Sequence, residues 1–185
     1  MGKTTTSALF SDHGIPVWSA DTAVHDLYVK DGEGSKAIER LSPQAVQNGT
    51  VNRGALRKQI AADPKLLSKI EAAIHPLVQN HRRQFIENQS ASIVLCDIPL
   101  LFETGDPSAF DTIITITADP DIQRARVLAR RGMTEEHFAT ILDRQMPDAE
   151  KRARSDHVID TSLGLEPVHE AVNNILADIR GHLDA

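Results

Sequence analysis

Apolar residues occur in two patterns along the chain. Where they fall three and four apart they mark amphipathic helices, and where they form short continuous runs rich in β-branched residues they mark strands. "TTTSALFSDHG" reads as a helix closed by Gly14, the usual residue for a left-handed C-cap. "IPVWSAD" reads as a short strand ending in the carboxylate of Asp21. From Thr22 to Asn88 the pattern is helical throughout. There, Asp63-Pro64 gives an N-cap followed by Pro at the first helical position. Leu66, Leu67, Ile70, Ala73, Ile74 and Leu77 then recur at helical spacing. "SIVLCDIPLLFE", which contains Asp97 and Pro99, reads as a strand buried on both faces of a parallel sheet. "FDTIITITAD" is a second strand, "DIQRARVLARRG" a helix, "SDHVIDTS" a last short strand, and a final helix runs from Glu166 to His182.

Strands alternating with helices predict an α/β fold with a parallel sheet. Such sheets bind ligands at the carboxyl ends of their strands, where Asp21 and Asp97 fall. The helical stretch between the first two strands is too long for a plain crossover and is expected to form an inserted lobe. The 185 residues suit one domain with such an insertion. Net charge is −6, so no basic field points to nucleic acid. Basic residues cluster locally, from Arg124 to Arg131 and from Lys151 to Arg154. The lone cysteine, Cys96, excludes an internal disulfide and reads as a buried strand residue. Neither a signal-peptide pattern nor an apolar run long enough to span a bilayer stands out, which leads us to expect a soluble, cytoplasmic chain away from membranes.

The second residue begins Gly-Lys-Thr, the tail of a G-x-x-x-x-G-K-[ST] phosphate-binding loop. In such a loop backbone N–H groups wrap the phosphates, the Lys reaches the outer ones and the hydroxyl holds Mg²⁺. The triplet opens a helix, whose N-terminus favours phosphate. Asp21 suits either a cap on the next helix or a base that accepts a proton from an attacking hydroxyl. Arg126 and Arg130 lie four apart, with Arg131 beside them, and suit either a solvated helix face or a cationic lid over a transferring phosphoryl group. On spacing alone, His75 before Pro76 reads as a helix-junction residue and Glu103 as a surface loop residue.

Several stretches together resemble the dephospho-coenzyme A kinase family. "MGKTT" matches the end of its phosphate loop, and "SAD", Ser19 to Asp21, stands where the family has D-A-D. "NGTVNRGALRKQI" and "IEAAIHP" match its helical lobe, "PLLFE" (Pro99 to Glu103) its next strand end, and "RVLARRGMTEE" with Gln145 its lid. "SDHVIDTSLG" matches its close, with Ser155 and Thr161 differing. The resemblance runs in order from Met1 to Gly164.

The resemblance implies a P-loop nucleoside triphosphate hydrolase-like fold. Its three α/β/α layers would hold a parallel sheet of order 2-3-1-4-5, with a helical lobe over 22–91, a lid over 124–155, and a core of 1–21, 92–118 and 156–185. It implies ATP-dependent phosphorylation of the 3′-hydroxyl of dephospho-CoA, the last step of coenzyme A biosynthesis, with Mg²⁺. Met1, Gly2, Lys3, Thr4 and Thr5 would bind ATP, Lys3 contacting the β- and γ-phosphates and Thr4 the Mg²⁺. Asp21 would be the general base, and Arg130 would stabilise the transferring group, with Arg126 the weaker candidate. His75, Pro99, Leu100 and Glu103 would shape the acceptor site. The family begins with a strand and the first half of its phosphate loop, so Met1 is expected to be an internal methionine, with strand 1 missing and a gap left between strands 3 and 4. Its activity in that form is in doubt, and a monomer is expected. Another small-metabolite or nucleoside kinase of the same fold, and an inactive remnant that binds coenzyme A-like ligands, remain as alternatives.

Overall fold

The computed structural model describes residues 2–184, so Met1 lies outside the described residues. In chain order the elements are α1 (Lys3–Asp12), β1 (Val17–Ser19), α2 (Ala20–Leu27), α3 (Glu33–Leu41), β2 (Val46–Gln47), β3 (Thr50–Val51), α4 (Arg53–Ala62), α5 (Lys65–Glu87), β4 (Leu95–Asp97), α6 (Leu101–Thr104), β5 (Ile114–Thr117), α7 (Pro120–Leu128), α8 (Glu135–Asp143), α9 (Asp148–Ala153), β6 (His157–Asp160) and α10 (Leu165–Leu183). The chain divides into two compact units. One holds the N-terminal stretch through Gly14 together with the chain from Pro99 onward, and the other holds Ile15–Ile98.

In the Ile15–Ile98 unit, β1 pairs in parallel with β4, Trp18 opposite Cys96 and Ser19 opposite Asp97. Trp18 is buried and donates its indole N–H to Nδ1 of His81 on α5 at 3.0 Å, which ties the helix to the strand. The core of this unit gathers Leu27, Ile38, Ala45, Val51, Leu56, Leu66, Ile70 and Ile74. Leu66, Ile70 and Ile74 are the stripe the spacing predicts. Asp63 Oδ1 accepts the Lys65 N–H at 3.1 Å, but α5 begins at Lys65 with Pro64 at its N-cap, one residue later than expected.

Three sequence expectations are corrected here. The segment 22–88 is not helical throughout, because β2 and β3 form an antiparallel hairpin. Its turn is Asn48-Gly49 with φ of 51° and 76°, the left-handed pair that closes a two-residue hairpin. The α5 helix passes through Pro76 without a break, so His75 sits mid-helix and exposed rather than at a junction. Pro76 and Ala72 are both exposed, so the carbonyl that the ring leaves unbonded lies on a face open to solvent. Finally, β4 is only three residues long and partly buried at each, not sealed on both faces.

In the other unit β5 pairs in parallel with β6, Ile114 opposite His157 through Thr117 opposite Asp160. The two parallel pairs are those that the expected order gives its second and third, and its fourth and fifth, strands. Leu9 and Phe10 of α1 and Val168, Val172, Ile175 and Leu176 of α10 are buried, and the two helices pack together. Gly14, with φ of 77°, follows the end of α1 as predicted.

Candidate active site

The loop remnant is built by backbone geometry. Gly2 takes φ 76° and ψ 2°, a left-handed conformation that most side chains resist. Its carbonyl accepts both the N–H and the hydroxyl of Thr6, at 2.9 and 3.1 Å, and so starts α1. A Cβ at Gly2 would come within 2.9 Å of Thr161 Cγ2, so both torsion and space require glycine. Lys3 is the first residue of α1 and is partly buried, while Thr4 and Thr5 are exposed in its first turn. The free N–H groups and the positive end of the helix dipole therefore lie at this end of α1.

A cleft of about 330 Å³ opens there, lined by Gly2, Thr5, Thr6, Arg126, Thr161, Gly164, Leu165 and Val168. Arg126 is held in it by one residue. Its Nη1 donates to Thr161 Oγ1 at 3.0 Å and its Nη2 to the Thr161 carbonyl at 2.9 Å, while the Thr161 hydroxyl donates to the Thr117 carbonyl at 3.0 Å. The α7 helix that carries Arg126 is fixed at its start by Asp119, which accepts from the N–H groups of Asp121 and Ile122. The Asp119 N–H in turn donates to Ser162 Oγ at 2.6 Å. Asp160 accepts the Ser162 N–H at 2.8 Å, and bonds to Ser162 keep its carboxyl below the usual range, with Arg152 and Arg126 adding to this. The result is a charged guanidinium fixed beside a helix N-terminus, an arrangement fit to receive a nucleotide.

Arg126 and Arg130 do not share a helix face. Leu128 ends α7 and Arg130 falls in the following turn, where its N–H donates to the Val127 carbonyl at 3.0 Å. Both arginines are exposed, but Arg126 lines the cleft and Arg130 does not. Asp21 is exposed in the first turn of α2 and is not its cap, since Ser19 Oγ accepts the Thr22 N–H. The strand ends at Ser19, two residues before Asp21. Asp21 and His75 belong to the Ile15–Ile98 unit, and Lys3, Thr4, Arg126 and Arg130 to the other. Cys96 is partly buried in β4, and burial raises its thiol above the ordinary value, only partly offset by Arg82.

Pro99 is exposed, Leu100 partly buried, and Glu103 lies on the short α6 rather than in a surface loop. Glu103 Oε1 accepts from Lys151 Nζ at 2.6 Å and from the Met146 N–H at 2.9 Å. Lys151 and Met146 were not singled out in the sequence, and neither was Thr161 as the holder of Arg126. Lys151 appeared there only within the clustered Lys151–Arg154 run, and Thr161 only as a departure from the family's close.

A divalent ion that arrives with a polyphosphate ligand finds a fitting donor here. The exposed hydroxyl of Thr4 at the phosphate end of α1 is a single hard oxygen donor. A divalent ion carried by nucleotide phosphates keeps most of its ligands from phosphate and water and needs no more than one or two from protein.

Parallel strand pairs flanked by helices, with Gly-Lys-Thr opening a helix at a cleft, define a P-loop kinase. A sequence model described as "Dephospho-CoA kinase" matches residues 1–166. The dephospho-CoA kinase of Cereibacter sphaeroides is 50% identical over 185 residues, covering 100% of this chain and 93% of that protein. That of Brucella melitensis is 45% identical over 184 residues, covering 98% and 91%. Among solved structures, TT1252 from Thermus thermophilus superposes with a TM-score of 0.83 at 30% identity, covering 96% of this chain and 91% of that one. The dephospho-CoA kinase from Campylobacter jejuni has the same fold, with a TM-score of 0.71 at 20% identity. The chain belongs to the dephospho-CoA kinase family and is an enzyme of that type.

Proposed function

We propose that this chain transfers the γ-phosphoryl group of ATP to the 3′-hydroxyl of dephospho-CoA, giving CoA and ADP, the last step of coenzyme A biosynthesis. The observation that carries this reading is the family match over residues 1–166, which includes the Gly2–Thr4 triplet at the N-terminus of α1. Gly2, Lys3, Thr4 and Thr5 bind the ATP phosphates, and Met1 joins them by the family pattern. Arg126 and the 161–165 loop hold the rest of the nucleotide. Thr4 holds Mg²⁺, which when bound offsets phosphate charge. Lys3 and Arg130 hold the transferring phosphoryl oxygens, and Asp21 takes the proton of the acceptor hydroxyl. His75, Pro99 and Leu100 shape the acceptor site, while Glu103, expected there with them, is assigned a different part below. Most of the rate then comes from positioning and charge neutralisation, as loose phosphoryl-transfer transition states require. The domains follow the same division: a core of 1–21, 92–118 and 156–185, a lobe over 22–91 and a lid over 124–155. The partners are these two small molecules, with no nucleic acid and no membrane. We place the protein in the cytoplasm as a monomer. No helix among the described residues is long and apolar enough to cross a membrane.

The test is Arg130→Ala assayed for ADP release with dephospho-CoA. An Arg that acts on the transition state lowers kcat and leaves the KM for ATP within a few-fold. A large rise in that KM with kcat intact overturns the role of Arg130. A wild-type chain that phosphorylates a nucleoside but not dephospho-CoA overturns the reaction.

A further inference from the structure

The α9 helix follows the Arg130-bearing segment, and it is stitched to β5 and α6 along its length. Thr117 Oγ1 lies 2.8 Å from both carboxylate oxygens of Asp148 at the helix start. Beyond its end, Ser155 Oγ and Thr115 Oγ1 are 2.6 Å apart, and Asp156 Oδ2 accepts the Ile113 N–H at 2.7 Å. The Arg154 guanidinium lies over the Phe102 ring at 5.0 Å from its centroid. The Lys151–Glu103 pair closes the remaining side, with the two side chains only 14% and 12% exposed. The same Glu103 oxygen reaches past the helix start to the Met146 N–H, in the stretch where α8 has ended and α9 has not begun. Its other oxygen, Oε2, is buried and makes no hydrogen bond among the described residues. A buried carboxylate that is half satisfied is kept charged by Lys151 together with the Met146 N–H, so the three groups depend on one another.

We propose that Glu103 is a positioning residue: with Lys151 it clamps the Met146 backbone and sets the C-terminal hinge of the segment that carries Arg130. The inference rests on the kinase reading for its effect on turnover, but the clamp is a property of this unit alone. A hinge sits where a held element gives way to a less held one. Here the ties run from Met146 onward; before it, α7 is tied through Asp119 and Arg126, and α8 adds the buried Phe138 and an exposed Arg124–Glu135 ion pair to α7, so the stretch between Leu128 and Met146 is the less held one. Glu103 then acts on the reaction through the register of Arg130 and does not touch the acceptor.

Two variants separate charge from geometry. Glu103→Ala removes the acceptor of the Met146 N–H, while Glu103→Gln keeps an acceptor and removes the charge. Amide exchange at Met146 is expected to accelerate about tenfold in Glu103→Ala and less in Glu103→Gln. Turnover is expected to fall in the same order, with the KM for dephospho-CoA within about threefold of the parent. Lys151→Met combined with Glu103→Gln should cost no more than the worse single change, as expected for two residues acting as one unit. If Glu103→Ala fails to fold, Lys151→Met is read with the same exchange and kinetic measurements. Unchanged Met146 protection overturns the clamp. So does a raised KM for dephospho-CoA with kcat intact, which would make Glu103 a substrate contact. If the unaltered chain transfers no phosphoryl group to dephospho-CoA, the kinase reading fails, and exchange at Met146 alone decides the clamp.

Discussion

Gly2 shows how much of a site one residue can carry. Its left-handed backbone aims the first turn of α1, and its missing side chain lets Thr161 approach. Gly2→Ala is expected to cost about 1–2 kcal/mol from torsion alone. The displaced Thr161 should also loosen Arg126, raising the KM for ATP, as steady-state kinetics with a melting curve would reveal. Asp21 behaves in the opposite way. Ser19 caps α2, so changing Asp21 costs the fold little. Asp21→Asn is expected to lower turnover by about 10²–10⁴-fold, the range for a lost general base, with the melting temperature unmoved. Ser19→Ala should show the reverse: a loss of about 0.5 kcal/mol of stability, the low end for a cap because its bond is long, with turnover kept. Near-normal turnover in Asp21→Asn would remove Asp21 from the chemistry.

At the scale of elements, the β2–β3 hairpin and the end of α7 are where local pattern and final structure part. Gly49 closes the hairpin with φ of 76°, and a Cβ there would meet Asp31 Oδ1 at 2.5 Å. Gly14 has nearly the same torsion, 77°, but nothing within 4 Å of a Cβ. Gly14→Ala should therefore cost only the torsional penalty, about 1–2 kcal/mol, and Gly49→Ala more than that. Chemical denaturation of the two variants compares them directly, and equal losses would show that Asp31 yields without cost. In α7 the run "RVLARRG" continues a helical pattern, yet the backbone turns after Leu128 and separates Arg126 from Arg130. Both stay exposed, but only Arg126 lines the cleft, although four-residue spacing alone had put the two on one face.

Across the whole molecule, the acid limb of stability is expected to follow Glu103. Burial alone would raise its carboxyl, but the bonds from Lys151 and the Met146 N–H outweigh burial and hold it below the usual range. A carboxyl lowered in the folded state adds stability that is fully present above its unfolded value, about 4.3, and is lost as pH falls through the lower native value. The melting temperature should hold above about pH 5 and decline below it, with Glu103→Gln flattening that decline. Asp160 shifts the same way, but it is nearly open to solvent and should contribute little. A decline unaltered in Glu103→Gln would place the acid lability elsewhere.

The sequence by itself determined the class of fold, the parallel pairings, the stripe of α5, the glycine after α1 and the family. These rest on local periodicity, on backbone demands met by single residues, and on motifs that keep their order along the chain. Tertiary structure decided what depends on distant partners. Thr161, 35 residues from Arg126, fixes where that guanidinium lies. Lys151 and Met146, more than forty residues from Glu103, turn an apparent loop carboxylate into a buried tie. The hairpin was written locally in Asn48-Gly49, but its strands are two residues each, too short for an alternating pattern to register. Spacing along a chain reports which residues share a face, and only the packed fold reports what that face meets.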